Sequence, residues 1–285
     1  ELSEPFKNLF TQGMVCHETY KDKKKNWLYP EEVEKISSNK YIKKNDKSEI
    51  KVGPPESMSK SKKNTVDPES MINQYGADAV RLFILSDSPP EKDIQWSDTG
   101  VAAANKFLQK LWNLNYLILN RQEYSGEADI EKKFNLNIED FINKIDSSIK
   151  KFRFNVSIAL FHQLFNFFKD NLERNINNTL VKREFIKFIK VLVPFVPHLA
   201  YECLELLNCK TKDVWPEIKK DTIEIIKMAV QVNGKTRDII QIKKDMSEKY
   251  VNEFIMKNSK AKIYIADNNV KRVIFIKDRI INYIT

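Results

Sequence analysis

The chain has 285 residues, of which 42% are hydrophobic and 31% charged, and its formal net charge is +9. No run of about 18 apolar residues occurs and no secretory signal peptide is visible, so we expect no membrane span. The three cysteines and three histidines lack the spacing of a zinc site. An odd cysteine number also disfavours a disulfide framework, and a reducing cytoplasm is the expected compartment.

Residues 1–56 consist of short, weakly patterned segments. The apolar triplet at 14–16 predicts a short buried strand, and the charged stretch at 21–26 predicts a turn. A short helix is predicted over 31–36, and weak alternation over 40–52 predicts a small hairpin. We find no recognisable chemistry in these segments.

The stretch SMSKSKKN at 57–64 carries the chemistry of the chain. It follows Pro54 and Pro55, which are excluded from helix interiors and central strands, so a mobile loop is predicted. Its three lysines repel one another unless an anion lies between them, and serine hydroxyls and free backbone N–H groups would add donors for a polyphosphate. Composition alone leaves two interpretations open, namely a phosphate-binding loop and an ordinary solvated loop.

Two helices are predicted after this loop. Asp67 followed by Pro68 is a strong helix start, because Asp caps free N–H groups and Pro suits the first helical position. Gly76 is predicted to end this first helix. Asp78 is predicted to cap the second, which ends before the prolines at 89–90.

Residues 101–207 carry apolar residues at helical spacing, which predicts a bundle of four or five helices. Phenylalanines recur along this region. Their stripe is predicted to be core, because base-stacking platforms are usually exposed on strands. Pro194 and Pro197 end one helix, and Pro197 is predicted to open the next.

After Pro216 the spacing changes from helical to alternating, which predicts a small α+β domain. Asn233-Gly234 is a strong signal for a type I′ hairpin turn. The pattern of 261–266 is ambiguous between helix and strand. The predicted elements are strands over 223–232, 236–242, 273–276 and 280–284, and a helix over 247–257.

Taken together, these motifs resemble the leucyl-tRNA synthetase family of class I aminoacyl-tRNA synthetases. The residues MSKS at 58–61 are similar to the second class I signature, KMSKS, except that Ser57 stands where the signature has its first lysine. The resemblance extends over nearly the whole chain and favours a helix at 261–266. The motifs that match in order and spacing are EPF at 4–6, TQGMV at 11–15, DP at 67–68, YGAD at 75–78, RLF at 81–83, SPP at 88–90, DIQWS at 93–97, PHLA at 197–200, WP at 215–216 and VQVNGK at 230–235.

The resemblance implies a site for ATP. It places Met58, Ser59, Lys60 and Ser61 in an ATP-binding loop, with Lys60 as the catalytic residue that stabilises negative charge on the reacting phosphates. The implied reaction joins leucine to tRNA(Leu) through leucyl-adenylate. Mg²⁺ would accompany ATP, but we identify no metal ligand in the chain.

The resemblance also implies tRNA as a partner, and the charge distribution fits this. Residues 1–100 carry a net charge of −1, whereas 101–220 and 221–285 each carry +5. Excess positive charge suits a nucleic-acid backbone. In the family, the last domain reaches the outer corner of the tRNA. The tRNA contacts predicted there are Lys235, Arg237, Lys243, Lys244, Lys271 and Arg272.

The predicted fold is therefore mixed and mainly a helical bundle. We expect the end of a catalytic domain over 1–100, a bundle of the class I anticodon-binding type over 101–220, and a small α+β domain over 221–285. The resemblance is to the C-terminal part of the synthetase, and no two histidines lie close enough to form the other, His-x-Gly-His signature. We expect a part of a longer ligase that is inactive by itself.

Two alternative functions remain open at this point. One is a different class I synthetase, for methionine, valine or isoleucine. The other is a non-catalytic tRNA-binding protein derived from a synthetase. A His-x-Gly-His signature in a longer reading frame would favour the enzyme over the binding protein.

Overall fold

The computed structural model describes residues 4–6, 8–37, 40–218, 225–266 and 270–285. The chain forms two compact units, Glu1–Lys219 and Lys220–Thr285, and each has a hydrophobic core of its own. Within the described ranges, no helix is long and apolar enough to cross a membrane. Those same ranges contain no group of three or more His, Cys, Asp and Glu side chains suited to a metal ion.

The larger unit begins with short strands arranged around a central strand, β1, which spans Val15–Lys21. Strands β2 and β5 pair antiparallel with β1, and β6 pairs parallel with it. Strands β3 and β4 form a separate antiparallel pair. The bounds are β1 Val15–Lys21, β2 Trp27–Leu28, β3 Val33–Ser37, β4 Lys40–Lys43, β5 Lys51–Ser57 and β6 Ile94–Gln95.

One prediction in this region is wrong. The predicted helix over 31–36 is a single 3₁₀ turn, Pro30–Glu32, followed by β3. The Glu32 carboxylate closes this turn by accepting the backbone N–H of Tyr29 at 2.9 Å. Over 31–36, pairing of β3 with β4 outweighs the weak helical pattern. The small hairpin predicted over 40–52 is present in short form: Ile42 and Glu49 form an antiparallel bridge, and the Lys43 N–H donates to the Ser48 carbonyl oxygen at 2.8 Å. Beyond this turn, β4 also pairs with β3, and β5 pairs with β1.

Helix α1, Pro68–Tyr75, begins as predicted. The Asp67 carboxylate accepts the N–H groups of Glu69 at 3.3 Å and Ser70 at 3.1 Å. Gly76 ends the helix at φ +84°, a conformation that glycine adopts without steric cost. Helix α2, Ala77–Ser86, follows directly and ends before the prolines, as predicted.

The role predicted for Asp78 is wrong, since its carboxylate caps a different helix. Asp78 lies inside the first turn of α2, and its carboxylate accepts the backbone N–H of Leu199 at 2.8 Å and of His198 at 3.4 Å. The His198 ring Nδ1 also lies 2.9 Å from it. Val196, the residue before that later helix, makes no side-chain cap. Arg81 strengthens the junction by donating to the carbonyl oxygens of 194 and 195.

Five helices form the bundle, and phenylalanines fill its core as predicted. Phe161, Phe168, Phe185, Phe188 and Phe195 are at most 2% exposed. Several of these rings meet edge to face, which favours close packing of aromatic side chains. The helices are α3 Asp98–Leu119, α4 Ala128–Lys150, α5 Phe154–Asp170, α6 Asn178–Leu192 and α7 Pro197–Leu206.

The smaller unit is a four-stranded sheet with two helices. The strand order is β8-β7-β10-β9, with β10 parallel to β7. The predicted hairpin is confirmed, because Asn233 and Gly234 have φ +50° and +77° as a type I′ turn requires. The first two residues of the predicted strand over 223–232 lie outside the described residues. The elements are β7 Ile225–Val232, β8 Lys235–Lys243, α8 Glu248–Asn258, α9 Lys262–Ala266, β9 Arg272–Ile276 and β10 Ile280–Ile284.

Replacing Asp78 by Ala should destabilise the larger unit, because the first turn of α7 loses its cap. We expect a loss of about 1–3 kcal/mol in the free energy of unfolding, measured by urea denaturation. Asp87→Ala is the matched control, since Asp87 is an exposed acid at the end of the same helix. An equal loss in both variants would contradict the remote cap.

Candidate functional site

The lysine-rich loop follows β5 and contains one 3₁₀ turn, Lys60–Lys62. The Ser59 hydroxyl caps this turn by accepting the N–H of Lys62 at 3.3 Å, and it lies 3.0 Å from the Ser61 hydroxyl. Lys63 ends the turn in the left-handed region, at φ +54°. Both hydroxyls therefore shape the loop, and the segment has a defined conformation of its own.

The three lysines of the loop have different surroundings. The Lys62 ammonium pairs with the Glu56 carboxylate, and the Lys63 ammonium lies 5.0 Å from the centre of the Tyr29 ring. Lys60 is exposed and forms no ion pair with any described residue. Of the three, Lys60 is the lysine whose ammonium has neither an ion pair nor a ring contact among the described residues, so it is available to an anion from outside the chain. Its catalytic role remains a prediction.

The most buried residue of the loop, Asn64, was missed by the sequence analysis. Its side chain has no exposed surface. The carboxamide oxygen accepts the Ser59 N–H at 2.8 Å, and the amide nitrogen lies 3.2 Å from the His17 carbonyl oxygen, 3.0 Å from that of Glu56 and 3.4 Å from that of Ser57. A neutral side chain among lysines was the only available signal, and it does not reveal partners that are distant in sequence.

Strand β1 and the residue before it are hydrogen-bonded to the loop along one edge and to β6 along the other. The Val15 carbonyl oxygen accepts the N–H of Met58, the first residue of the predicted ATP-binding loop, at 3.2 Å. The carbonyl oxygen of the preceding residue, Met14, accepts the N–H of Ile94 at 2.9 Å. The backbone of β1 is therefore shared between the loop and the segment that leads into α3.

The six cations predicted to contact tRNA do not form one cluster. Lys235 and Arg237 lie at the hairpin end of β8, and Lys271 and Arg272 lie at the same end of the sheet on the opposite edge, beside β10. We call these four residues the hairpin-end group. Lys243 and Lys244 lie at the other end of β8 and form the far-end group. From Lys235 to Lys243, β8 extends over eight residue steps, which corresponds to about 25 Å.

Two side chains next to the hairpin-end group, Tyr264 and Asp238, leave its positive charge unneutralised. The guanidinium of Arg237 lies 4.3 Å from the centre of the Tyr264 ring, which is on α9. The next residue, Asp238, accepts the Ser259 hydroxyl at 2.6 Å and the Lys260 N–H at 2.9 Å. The hydroxyl of Ser259 is the main cause of a lowered Asp238 pKa. This carboxylate is thus directed toward the helices and not toward the cations.

Comparison with known proteins identifies two family models in the chain. One, described as the anticodon-binding domain of tRNA ligase, matches residues 131–252. The other, described as tRNA synthetases class I (I, L, M and V), matches residues 50–97 and so includes the lysine-rich loop.

Curated relatives match nearly the whole chain. The leucine–tRNA ligase of Rickettsia prowazekii (strain Madrid E) is 38% identical over 289 residues, covering 99% of this chain and 35% of the relative. The leucine–tRNA ligase of Orientia tsutsugamushi (strain Boryong) is 38% identical over 291 residues, covering 100% of this chain and 34% of the relative. The chain thus spans about a third of the length of these relatives.

A solved structure supports the fold. It is a LeuRS–tRNA–LeuAMS ternary complex from Agrobacterium radiobacter K84, which matches with a TM-score of 0.63 and 24% identity over 80% of this chain and 30% of that one. A likeness at this identity concerns the fold alone, and it agrees with the predicted mixed architecture.

We expect Lys60 to be acetylated faster than Lys62 when the native chain is treated with limiting N-acetoxysuccinimide. The Lys62 amine must leave Glu56 before it reacts, and a partly exposed ion pair of this kind is worth about 0–1 kcal/mol, or up to about fivefold in rate. Mass spectrometry of the peptides measures both rates. In Glu56→Gln the two rates should converge, and an unchanged ratio there would contradict the ion pair.

Proposed function

Since this chain belongs to the leucine–tRNA ligase family of class I synthetases, we propose that it is the part of such a ligase that supplies the ATP-phosphate loop and tRNA-binding surfaces. The observation that carries the proposal is 38% identity to leucine–tRNA ligases over 99% of the chain. The proposed substrates are ATP, leucine and tRNA(Leu), and the cytoplasm is the proposed location.

In the proposed first step, an oxygen of the leucine carboxylate attacks the α-phosphorus of ATP. A carboxyl–phosphate bond forms, the bond between the α- and β-phosphates breaks, and pyrophosphate leaves. Negative charge grows on the departing phosphates, so a fixed cation near them lowers the barrier. Lys60 is assigned this role because its ammonium is exposed and unpaired among the described residues. Mg²⁺ would arrive with ATP.

In the proposed second step, a terminal ribose hydroxyl of the tRNA attacks the leucyl carbonyl carbon and AMP leaves. The helical bundle and the smaller unit would hold the tRNA during this transfer. The main support is the match of residues 131–252 to the anticodon-binding domain of tRNA ligase.

The alternative class I specificities are less well supported. The family model that covers the loop includes the isoleucine, leucine, methionine and valine enzymes. The relatives that match over the whole chain are named leucine–tRNA ligase, which favours leucine. A non-catalytic tRNA-binding protein is distinguished from the ligase by the loop variants described below.

We predict that this chain alone does not activate leucine. It spans about a third of the length of its relatives, and its histidines offer no His-x-Gly-His signature. Leucine-dependent exchange of pyrophosphate into ATP measures this directly. Clear turnover by the isolated chain would contradict the prediction.

In the complete enzyme, Lys60→Ala should slow leucine activation much more than it weakens leucine binding. Loss of one charge that acts on the transition state costs on the order of 3 kcal/mol, or about a hundredfold in rate. Pyrophosphate exchange gives the rate, and the KM for leucine gives the binding effect. An exchange rate within about a factor of two of the unaltered enzyme would refute the role of Lys60.

Two variants control this test. Lys63→Ala removes a lysine of the same loop that lies over Tyr29, and we expect a much smaller effect on the exchange rate. Ser57→Lys restores the usual first lysine of the signature and should be tolerated. A protein that only binds tRNA would show no exchange in any of these forms.

Reversing the charges of Lys235 and Arg237 to Glu should weaken tRNA binding by the complete enzyme. Each lost phosphate contact should reduce the slope of log affinity against log salt by about 0.7–0.9. Leucine activation should stay near its original rate. The matched control is the reversal of Lys249 and Lys257, two exposed lysines of α8. Equal effects of the two double variants would mean that the unit binds through overall charge only.

A further inference from the structure

Asn64 connects three separate backbone segments within one carboxamide. Its oxygen binds Ser59, at the start of the loop, and its nitrogen lies near carbonyl oxygens of His17 in β1 and of Glu56 and Ser57 at the end of β5. The orientation of the amide is determined by these partners. If it were reversed, the carboxamide oxygen would face three carbonyl oxygens, and the Ser59 N–H would face an NH₂ group.

The complete burial of Asn64 makes these hydrogen bonds important for geometry. No water replaces a lost partner easily at a side chain with 0% exposure, so each unsatisfied group would carry a desolvation cost. The backbone of Ser59 is therefore held at a fixed place relative to β1. The hydroxyl of the same residue caps the turn by accepting the N–H of Lys62.

Lys60 directly follows the residue that Asn64 holds. On the N-terminal side, the backbone N–H of Ser59 is bound to Asn64 and its hydroxyl is bound to the turn. On the C-terminal side, the Lys60 carbonyl oxygen accepts the N–H of Lys63 at 3.3 Å. Met58, on the other side of Ser59, is bound to β1 through its own N–H. The ammonium group of Lys60 itself is left unpaired among the described residues.

We propose that Asn64 is a positioning residue for leucine activation, which acts by fixing the backbone of the loop so that Lys60 reaches the reacting phosphates. The proposal rests on the function proposed above. Asn64 does not touch the substrate in this role. Its contribution is made through Ser59 and the 3₁₀ turn, and it should therefore affect the transition state more than the binding of leucine.

The test compares Asn64→Asp with Asn178→Asp in the complete enzyme. Aspartate has the same shape but no N–H donors, so Asn64→Asp loses the contacts to the three carbonyl oxygens. Asn178 is the matched control, since it is also buried and its amide nitrogen lies 3.1 Å from the carbonyl oxygens of both Arg121 and Gln122, in the helical bundle. Both changes remove buried donors, but only one lies in the loop.

The activation rate is measured per active site, using the burst of leucyl-adenylate to count the folded, competent enzyme. For Asn64→Asp we expect this normalised rate to fall by about 10- to 100-fold, because small displacements of catalytic groups have effects of this size. The KM for leucine should be unchanged. Asn178→Asp also loses its two donor contacts, but its carboxylate still faces the Arg121 guanidinium, and it should keep the normalised rate. An unchanged normalised rate in Asn64→Asp overturns the proposal.

A second measurement separates this proposal from the proposed function. In the 285-residue chain, Asn64→Asp should raise the rate of trypsin cleavage within 60–63, while Asn178→Asp should not.

If Lys60→Ala leaves activation unaffected, the proposed function fails whatever the result for Asn64→Asp. If Lys60→Ala slows activation as expected but Asn64→Asp leaves the normalised rate unchanged, only the positioning role fails. If Asn64→Asp does not fold, Asn64→Ser, which keeps one donor, is tested with the same criteria.

Discussion

The backbone of strand β1 is hydrogen-bonded on both edges, and the arrangement of the candidate site depends on this. One edge binds the loop through Met58, and the other binds β6 through Ile94. The approach of the chain to this strand is tight, because a Cβ atom on Gly13 would lie 2.0 Å from the carbonyl oxygen of Lys92. Only glycine fits there, so the start of β1 cannot shift without moving the segment that leads to α3.

Helix α2 is attached to the helical bundle by polar contacts as well as by the shared hydrophobic core. Asp78 and Arg81 lie one turn apart on α2, and they bind opposite kinds of backbone group near the start of α7. The carboxylate accepts N–H groups of the first turn of α7, and the guanidinium donates to the carbonyl oxygens of 194 and 195 just before it. A single helix thereby fixes both the end of one bundle helix and the start of the next.

Features that depend on local chemistry could be predicted from the sequence. Asp67 caps α1 because its partners are two and three residues away, and Asn233-Gly234 forms its turn because few residues adopt positive φ easily. The phenylalanine core follows from helical spacing alone. The fold class agrees with the structure for these reasons.

Features that depend on distant partners could not be predicted. The cap from Asp78 reaches a helix some 120 residues later, as the separation of Asp78 from His198 records. The segment over 31–36 pairs with a strand whose register no local pattern specifies. Asn64 is the clearest case, because one of its partners is the carbonyl oxygen of His17, in a strand 47 residues earlier. Lys60 was singled out because the resemblance of MSKS at 58–61 to a family signature implies its role, and side-chain chemistry alone left an ordinary solvated loop open.

The separation of the cations at the two ends of the small sheet has a consequence for electrostatics. The distance between the hairpin-end and far-end groups, about 25 Å, is roughly three times the Debye length of 8 Å at physiological ionic strength. The counterions between them screen each group from the other. Their contributions to the affinity for a polyanion should therefore be additive at physiological salt and become coupled only in dilute buffer, where the Debye length approaches the distance between the two ends of β8.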